Sequence, residues 1–143
     1  MKQKDIFLGG EGNAWFTRNS AALANHELPG SDPLLMELLG LKSHLADEGG
    51  LVNVLEVGCG PGLRLDWLQQ QIGWECHGIE PSDEAVKQAT NAGVHAQVGT
   101  ADQLPFADKS FDVVAFGFCL YLCDRDDLFK IAAETDRVLK NPG

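Results

Sequence analysis

The chain has 143 residues, of which 44% are hydrophobic and 22% charged, a composition typical of one globular domain. Its formal net charge of −10 argues against a broad nucleic-acid-binding surface, because contacts with phosphates depend on Lys and Arg. The longest apolar run, Val113 to Cys123, is far shorter than the ~20 residues that a membrane-spanning helix needs. We therefore expect neither a nucleic acid nor a membrane as a partner.

The cysteines show no Cys-x-x-Cys spacing, and each lies in or beside an apolar run or a glycine-rich turn: Cys59, Cys76, Cys119 and Cys123. This arrangement predicts buried, reduced thiols rather than a disulfide framework or a metal site. The first residues, Met1 to Asp5, are not followed by the apolar core of a signal peptide. We expect a cytoplasmic protein.

Residues 1 to about 30 lack a regular hydrophobic period, and with glycines at positions 9, 10 and 12 they predict an irregular, flexible arm. Two adjacent aromatic residues, Trp15 and Phe16, have two interpretations. Either they anchor the arm on the core, or the arm folds over a ligand site as a lid. We therefore separate an N-terminal arm and helix, residues 1–50, from a second region, residues 51–143.

A helix is predicted after the arm. The stretch Ser31 to Pro33 combines a capping side chain with a proline suited to the first helical turn. Leucines then recur at helical spacing and predict a face that packs on the core: Leu34, Leu38, Leu41 and Leu45. The stretch Asp47 to Gly50 is expected to end this helix, because its two glycines break it.

The rest of the chain is organised around a glycine-rich turn. An apolar strand is predicted over Leu51 to Val57, the turn carries Gly58, Gly60 and Gly62, and a helix is predicted over Leu63 to Ile72. Strand, glycine turn and helix open a nucleotide-binding α/β unit. Glycine lets the backbone approach a ligand closely, and the start of the helix favours an anionic group.

The spacing of these glycines argues against a dinucleotide site. A dinucleotide fingerprint reads Gly-x-Gly-x-x-Gly, whereas the third glycine here, Gly62, comes one residue early. Glu56, two residues before the first glycine, adds a carboxylate that can accept a hydrogen bond from an ammonium group. The pattern therefore favours a nucleoside that carries an amino acid.

A second strand, Trp74 to Glu80, ends in an acid. Glu80 lies 22 residues beyond Gly58, close to the separation at which α/β nucleotide sites place a carboxylate on the ribose hydroxyls. Ser82 is the expected N-cap of the next helix, which runs to Ala92. Three residues of this helix are expected to face the sheet: Ala85, Val86 and Ala89.

A short third strand is predicted over Val94 to Val98, and a fourth, Val113 to Phe118, is apolar throughout. Such a strand is expected to be buried on both faces of a parallel sheet. The pair Asp126 and Asp127 is expected to cap a final helix. The predicted inner stripe of that helix consists of Leu128, Ile131, Ala132, Thr135, Val138 and Leu139.

Residues 54–62, Val-Leu-Glu-Val-Gly-Cys-Gly-Pro-Gly, closely resemble the first motif of class I S-adenosylmethionine-dependent methyltransferases. Residues 99–106, 108–118 and 137–143 resemble later motifs of this family in the same order. The resemblance implies an α/β fold with a Rossmann-like parallel sheet, strand order 3-2-1-4, and flanking helices. It also implies truncation before a fifth strand, and hence an uncovered sheet edge through which the chain could self-associate.

The resemblance implies S-adenosylmethionine as the cofactor. The glycine turn would admit the methionine end, Glu56 would receive the ammonium group, and Glu80 would hold the ribose. Thr100 stands where relatives carry an acid for the adenine, with Asp102 as a further candidate. The full set of implied cofactor-binding residues is Glu56, Gly58, Cys59, Gly60, Gly62, Glu80, Pro81, Thr100, Ala101, Asp102, Leu104, Gly117 and Phe118.

The implied reaction is methyl transfer to a small-molecule acceptor. No residue is a convincing general base, although His26 is a weak candidate, and Tyr121 either packs in the core or contacts the substrate. Two other functions stay open. One is aminopropyl transfer from decarboxylated S-adenosylmethionine, for which Asp124, Asp126 and Asp127 are candidate polyamine ligands. The other is a binding module or incomplete domain without catalysis.

Overall fold

The computed structural model describes residues 1–45 and 49–141. Its centre is a four-stranded parallel sheet in the order β3-β2-β1-β4, which confirms the predicted fold class and topology. The strands are β1 (Asn53–Val57), β2 (Glu75–Glu80), β3 (His95–Val98) and β4 (Val113–Phe116). Each strand agrees with its predicted bounds at one end and is one or two residues shorter at the other.

Six α-helices are described: α1 (Gln3–Ile6), α2 (Gly12–Ala24), α3 (Pro33–Leu45), α4 (Leu63–Ile72), α5 (Asp83–Asn91) and α6 (Leu128–Val138). A π-helical turn, Phe7–Glu11, joins α1 to α2, and two short 3-10 turns precede α6. Within residues 1–45 and 49–141, no helix has the length and apolar character needed to cross a bilayer.

The sheet is covered on both faces. Neighbouring residues of β1, Val54 and Leu55, are both fully buried and belong to two separate clusters, because successive side chains of a strand point to opposite faces. On one face α3, α4 and α5 pack through Leu35, Leu38, Leu65, Leu68 and Ala89. On the other face α6 packs through Ile131 and Val138. Glu56, one of the predicted cofactor-binding residues, lies between these layers, 1% exposed.

The prediction of an irregular N-terminal arm is wrong, because most of residues 3–24 are helical. The only buried residue of α2 is Gly12, so this helix needs no apolar stripe, and its sequence shows none. Tertiary contacts hold it instead. A Cβ atom added to Gly12 would lie 3.1 Å from the backbone nitrogen of Ser82, which shows how closely α2 approaches the loop after β2.

Two helices, α3 and α6, bury fewer of their apolar residues than the sequence analysis predicted. Leu41 of α3 and Leu128 of α6 are each 41% exposed, and Ala132 is also exposed. The four-stranded sheet covers only part of each helix, which leaves these positions in solvent. The predicted end of α3 falls partly on Asp47 and Glu48, which lie outside the described residues. The last family motif, residues 137–143, ends in Pro142 and Gly143, which also lie outside them.

Two further predictions need correction. Asp127 occupies the N-cap position of α6 without a capping hydrogen bond, because its carboxylate binds Nζ of Lys2 at 2.8 Å. The fourth strand is not fully buried on both faces. Val113 and Ala115 are buried, but the alternate residues are half-buried, since β4 pairs only with β1 among the described strands.

The four cysteines are unpaired thiols. Cys59 and Cys76 are buried, as predicted, whereas Cys119 and Cys123 are only half-buried because they lie in the loop after the edge strand β4. Burial raises the pKa of Cys119 to about 12, so this thiol is protonated at neutral pH.

Candidate functional site

One cavity of about 330 Å³ lies at the carboxyl ends of the strands, the position at which open α/β sheets bind ligands. Its walls come from the glycine turn after β1, from the segments after β2, β3 and β4, and from the N-terminal segment, residues 1–26. All the sequence-predicted cofactor-binding residues line it except Glu56, Gly62 and Leu104.

The glycine turn forms the floor of the cavity. The backbone nitrogens of Gly58 and Cys59 donate to the carbonyl oxygen of Ile79 at 2.7 and 3.2 Å, which fixes the turn against β2. Gly58 has a φ of 76°, and a Cβ atom there would lie 2.8 Å from Sγ of Cys119. Gly60 has a φ of 54° and faces open space, so a ligand can approach its backbone.

Glu80 closes one side of the turn. Its Oε2 accepts a hydrogen bond from the backbone N–H of Gly60 at 2.9 Å, and its Oε1 accepts one from the N–H of Ser82 at 3.0 Å. Burial raises the pKa of Glu80, and the two backbone hydrogen bonds oppose that shift. Each carboxylate oxygen keeps a lone pair for a further donor, such as a hydroxyl group.

Glu56 lies behind the cavity wall. Its Oε1 accepts a hydrogen bond from Nη1 of Arg64 at 2.6 Å, whereas its buried Oε2 has no hydrogen-bond partner among the described residues. A Cβ atom on Gly117 would lie 2.8 Å from Oε1, so the Glu56 carboxylate lies directly beside Gly117, which lines the cavity. Burial raises the pKa of Glu56 to about 7, although Arg64 opposes the shift.

Arg64 links Glu56 to the N-terminal part of the chain. Its Nε donates to Oδ2 of Asp32 at 2.7 Å, and Nε2 of His26 lies 2.8 Å from the same oxygen. The guanidinium carbon lies 5.4 Å from the centre of the Phe118 ring. Burial would raise the pKa of Asp32, but the hydrogen bonds from Arg64, the Leu35 N–H and His26 lower it.

The sequence analysis did not identify Arg64, and it assigned to residues 31–33 only a helix start. One feature of the sequence, the position of Arg64 at the start of a predicted helix, could nevertheless have drawn attention to it. Arg64 is the second residue of α4, where a positive charge faces the positive end of the helix dipole. A base in that position needs compensating acids, and Asp32 and Glu56 supply them.

The side of the cavity after β3 contains a second charged cluster. Asp102 is 3% exposed, and its carboxylate accepts hydrogen bonds from Oγ1 of Thr100 at 2.7 Å and from Nζ of Lys4 at 2.5 Å. Burial would raise the pKa of Asp102, but these donors and Lys130 lower it to about 2. Leu104 packs in the core, 4% exposed, rather than on the cavity wall.

The N-terminal segment is fastened to three loops at the carboxyl edge of the sheet. Beyond the pair Lys4–Asp102, Lys2 binds Asp127 and the backbone N–H of Gln3 donates to Asp124 at 2.8 Å. On α2, Asn13 contacts the loop after β2, with its Oδ1 accepting from Oγ of Ser82 at 2.6 Å and its Nδ2 donating to Asp83 at 2.7 Å.

Aromatic side chains complete the walls. Phe7 and Trp15 of the N-terminal segment face the same cavity as Phe118 and Tyr121, which follow β4. Tyr121 is 75% exposed, so it does not pack in the core. Phe118 has a φ of 56°, an uncommon conformation for a bulky residue, beside the cavity.

A family model described as a methyltransferase domain matches residues 55–143, more than half of the chain. The chain belongs to the class I S-adenosylmethionine-dependent methyltransferases. The match begins within β1, so the glycine turn, Glu80 and the loop after β4 described above all lie inside the family's domain.

Individual methyltransferases agree with this assignment. The chain is 43% identical over 103 residues to the ubiquinone/menaquinone biosynthesis C-methyltransferase UbiE of Desulfotalea psychrophila, covering 68% of this chain and 41% of that protein. It is 33% identical over 115 residues to the uncharacterized methyltransferase YcgJ of Bacillus subtilis, covering 75% of this chain and 44% of the relative. The chain thus spans less than half the length of these relatives.

The solved structure of YcgJ superposes on this chain with a TM-score of 0.56 and 27% sequence identity, covering 73% of this chain and 48% of YcgJ. The superposition therefore extends well beyond the glycine turn, since it covers about three quarters of this chain. The methyltransferase fold thus positions the cavity described above.

Proposed function

We propose that this chain forms the cofactor-binding part of a methyltransferase that uses S-adenosylmethionine and acts on a small molecule. The observation that carries the proposal is the arrangement of two acids around one glycine turn. Glu80 accepts a hydrogen bond from the backbone of Gly60, and Glu56 has a buried oxygen for which the part of the chain that the structure describes supplies no partner. A nucleoside bearing an ammonium group is complementary to this arrangement.

The chain's own residues would bind and orient the cofactor. Glu80 would accept hydrogen bonds from the ribose hydroxyls, and Glu56 would receive the ammonium group directly or through a water molecule. The segment from Thr100 to Asp102 would flank the adenine. The Thr100 hydroxyl donates to Asp102, and its lone pairs could still accept a hydrogen bond from the adenine amino group. The turn backbone at Gly60 would lie against the methionine end.

The bound cofactor supplies a methyl group activated by its sulfonium. The protein's contribution is then placement of an acceptor in line with that group, which accounts for much of the acceleration in such reactions. We assign no catalytic base. His26 lines the cavity, but its Nε2 lies 2.8 Å from Oδ2 of Asp32, so that nitrogen is not available to a substrate.

The aromatic walls support a small acceptor with an apolar body. Phe7, Trp15, Phe118 and Tyr121 offer ring faces and edges to a planar or aliphatic molecule. The relative UbiE is named as a methyltransferase of ubiquinone and menaquinone biosynthesis, which agrees in kind with an apolar acceptor. The N-terminal segment, within region 1–50, would act as a cap that covers this acceptor.

The acids after β4 do not favour aminopropyl transfer. Asp127 binds Lys2, and Asp124 accepts from the backbone of Gln3, so both are engaged by the N-terminal segment rather than directed at a polyamine. A module that binds the cofactor without catalysis remains the second candidate, because the chain covers less than half of its relatives.

Two further expectations are kept as proposals. The unpaired thiols support a reducing, cytoplasmic location, which cell fractionation would test. Among the described strands β4 pairs only with β1, and this supports self-association, because unpaired strand edges recruit further strands. Light scattering that finds only monomers across a wide concentration range would contradict the second proposal.

The deciding experiment is calorimetric titration of the protein, at its natural length, with S-adenosylhomocysteine and with NAD as the control. We expect the first ligand to bind and the second not to bind. A methyl-transfer assay with labelled cofactor and apolar quinol or phenol acceptors then separates an enzyme from a binding module. If neither ligand binds, the proposed function is wrong.

A further inference from the structure

Arg64 has more hydrogen-bonding capacity than the acids around it use. A guanidinium group carries five N–H donors in a planar fork. Nε binds Asp32 and Nη1 binds Glu56, whereas the described residues supply no hydrogen-bond partner for Nη2. Nη2 is also not among the buried unpartnered atoms, so it is accessible, and Arg64 is one of the residues that line the cavity.

The position of this guanidinium is firmly held. The N–H of Leu35 donates to Oδ1 of Asp32 at 2.8 Å, which orients Asp32 as the cap of α3, and Asp32 in turn fixes Nε of Arg64. The Phe118 ring packs against the guanidinium at 5.4 Å. Arg64 is only 18% exposed, so little freedom remains except at the edge facing the cavity.

Charge and hydrogen-bonding capacity point to the same kind of ligand. When Glu56 is ionised, it and Asp32 carry two negative charges against one positive charge on Arg64, and no described residue is a hydrogen-bond partner of Glu56 Oε2. An added ammonium group would balance the charge and satisfy Oε2. A carboxylate would satisfy Nη2 in a charge-assisted hydrogen bond. A free amino-acid head group carries both groups, on one carbon atom.

We propose that Arg64 binds the carboxylate of the cofactor's amino-acid group through Nη2, beside the ammonium group that Glu56 receives. The inference rests on the proposed function and deepens it, since it names the residue that recognises the amino-acid end. Arg64 is then a specificity residue as well as a counter-ion. It makes the protein reject decarboxylated S-adenosylmethionine, the cofactor of aminopropyl transfer.

The test compares two ligands on the unmodified protein: S-adenosylhomocysteine and the analogue that lacks only its carboxylate. We expect the carboxylate to strengthen binding by at least about tenfold, because hydrogen bonds between charged groups have that order of effect. Equal affinity for the two ligands would overturn the inference and leave the proposed function intact. Binding of neither ligand would overturn both.

Two variants then assign the effect to Arg64. In R64K, which keeps the charge but loses the fork, the affinity ratio between the two ligands is expected to fall toward one. In R125K, which changes an exposed arginine outside the cavity, the ratio should not change. A ratio that is unaltered in R64K, with the variant's folding checked by its thermal transition, would also overturn the inference. If R64K does not fold, the ligand comparison on the unmodified protein still decides.

Discussion

The carboxylate of Glu80 binds the backbone N–H of Gly60 at 2.9 Å, so the acid at the end of β2 holds the middle of the glycine turn after β1. Its other oxygen holds the start of the next loop through the N–H of Ser82. One side chain thus connects the two loops that border the cavity. Any ligand that reaches Glu80 meets a carboxylate whose position is already fixed, which lowers the entropic cost of binding.

Replacing Glu80 by alanine should weaken the binding of S-adenosylhomocysteine by about tenfold or more, because a charged acceptor for the ribose hydroxyls is lost. Calorimetry measures the change. The matched control is E75A at the opposite end of β2, where the side chain is 41% exposed and far from the cavity walls. Unchanged affinity in E80A would remove the ribose assignment.

The affinity for S-adenosylhomocysteine should depend on the protonation of Glu56. Its pKa is raised to about 7 by burial, and only the ionised carboxylate attracts an ammonium group. Affinity is expected to level off only above about pH 8, one unit above this pKa, and to fall as the pH drops from about 8 to about 6. Titrations at pH 6 and pH 8 in several buffers would measure both the affinity and the proton released. The variant E56Q should lose this pH dependence, and a flat profile in the unmodified protein would contradict the assignment.

The raised pKa of Glu56 should also make the stability of the protein depend on pH. Because the pKa of Glu56 is higher in the folded state than the ordinary value of 4.5, the folded chain retains a proton that the unfolded chain releases. The contribution of Glu56 to stability is therefore full below pH 4.5 and is lost as the pH rises through about 7. Denaturant titrations of the unmodified protein and E56Q across this window measure it. The stability of the unmodified protein relative to E56Q should fall as the pH rises from about 4.5 to about 7, and a constant difference would contradict the raised pKa.

Replacing Lys4 by methionine should loosen the N-terminal segment, because Asp102 loses a hydrogen bond from that segment at 2.5 Å. Hydrogen exchange of the amides in residues 3–11 is expected to become several-fold faster, and high salt should have a weaker effect of the same sign. The control K87M removes a lysine paired with Asp83 at 3.8 Å, outside the cavity. Equal protection in K4M and the unmodified protein would show that the pair does not fasten the segment.

Gly60 and Gly73 form a matched pair for testing close approach of a ligand. Both have positive φ, 54° and 80°, and a Cβ atom added to either meets no atom within 4 Å. Alanine at either position should cost ~1–2 kcal/mol of stability through backbone strain. Only Gly60 lines the cavity, so only G60A should also weaken cofactor binding, by at least about tenfold. Equal binding by G60A and G73A would place the ligand away from the turn.

The hydrophobic periods of the sequence located the elements well wherever an element packs on the sheet. The helix over Leu63–Ile72 was predicted at both ends, because a glycine turn precedes it and Gly73 follows it. The N-terminal helices were not predicted, because they do not pack on the sheet through an apolar face. They pack on loops through polar contacts such as Asn13–Ser82, and such contacts leave no period in the sequence.

The sequence by itself determined the fold class, the strand order through family resemblance, and the two acids that flank the glycine turn. These features depend on residue type at short spacing: alternation along strands, glycine where φ is positive, and an acid at a strand end. Only the tertiary structure brought Asp32, Glu56 and Arg64 together, because the three residues come from different elements and meet at the boundary of the sheet. The packing of the layers decides which distant acids pair with Arg64, and neither the spacing of residues nor the composition identifies those acids.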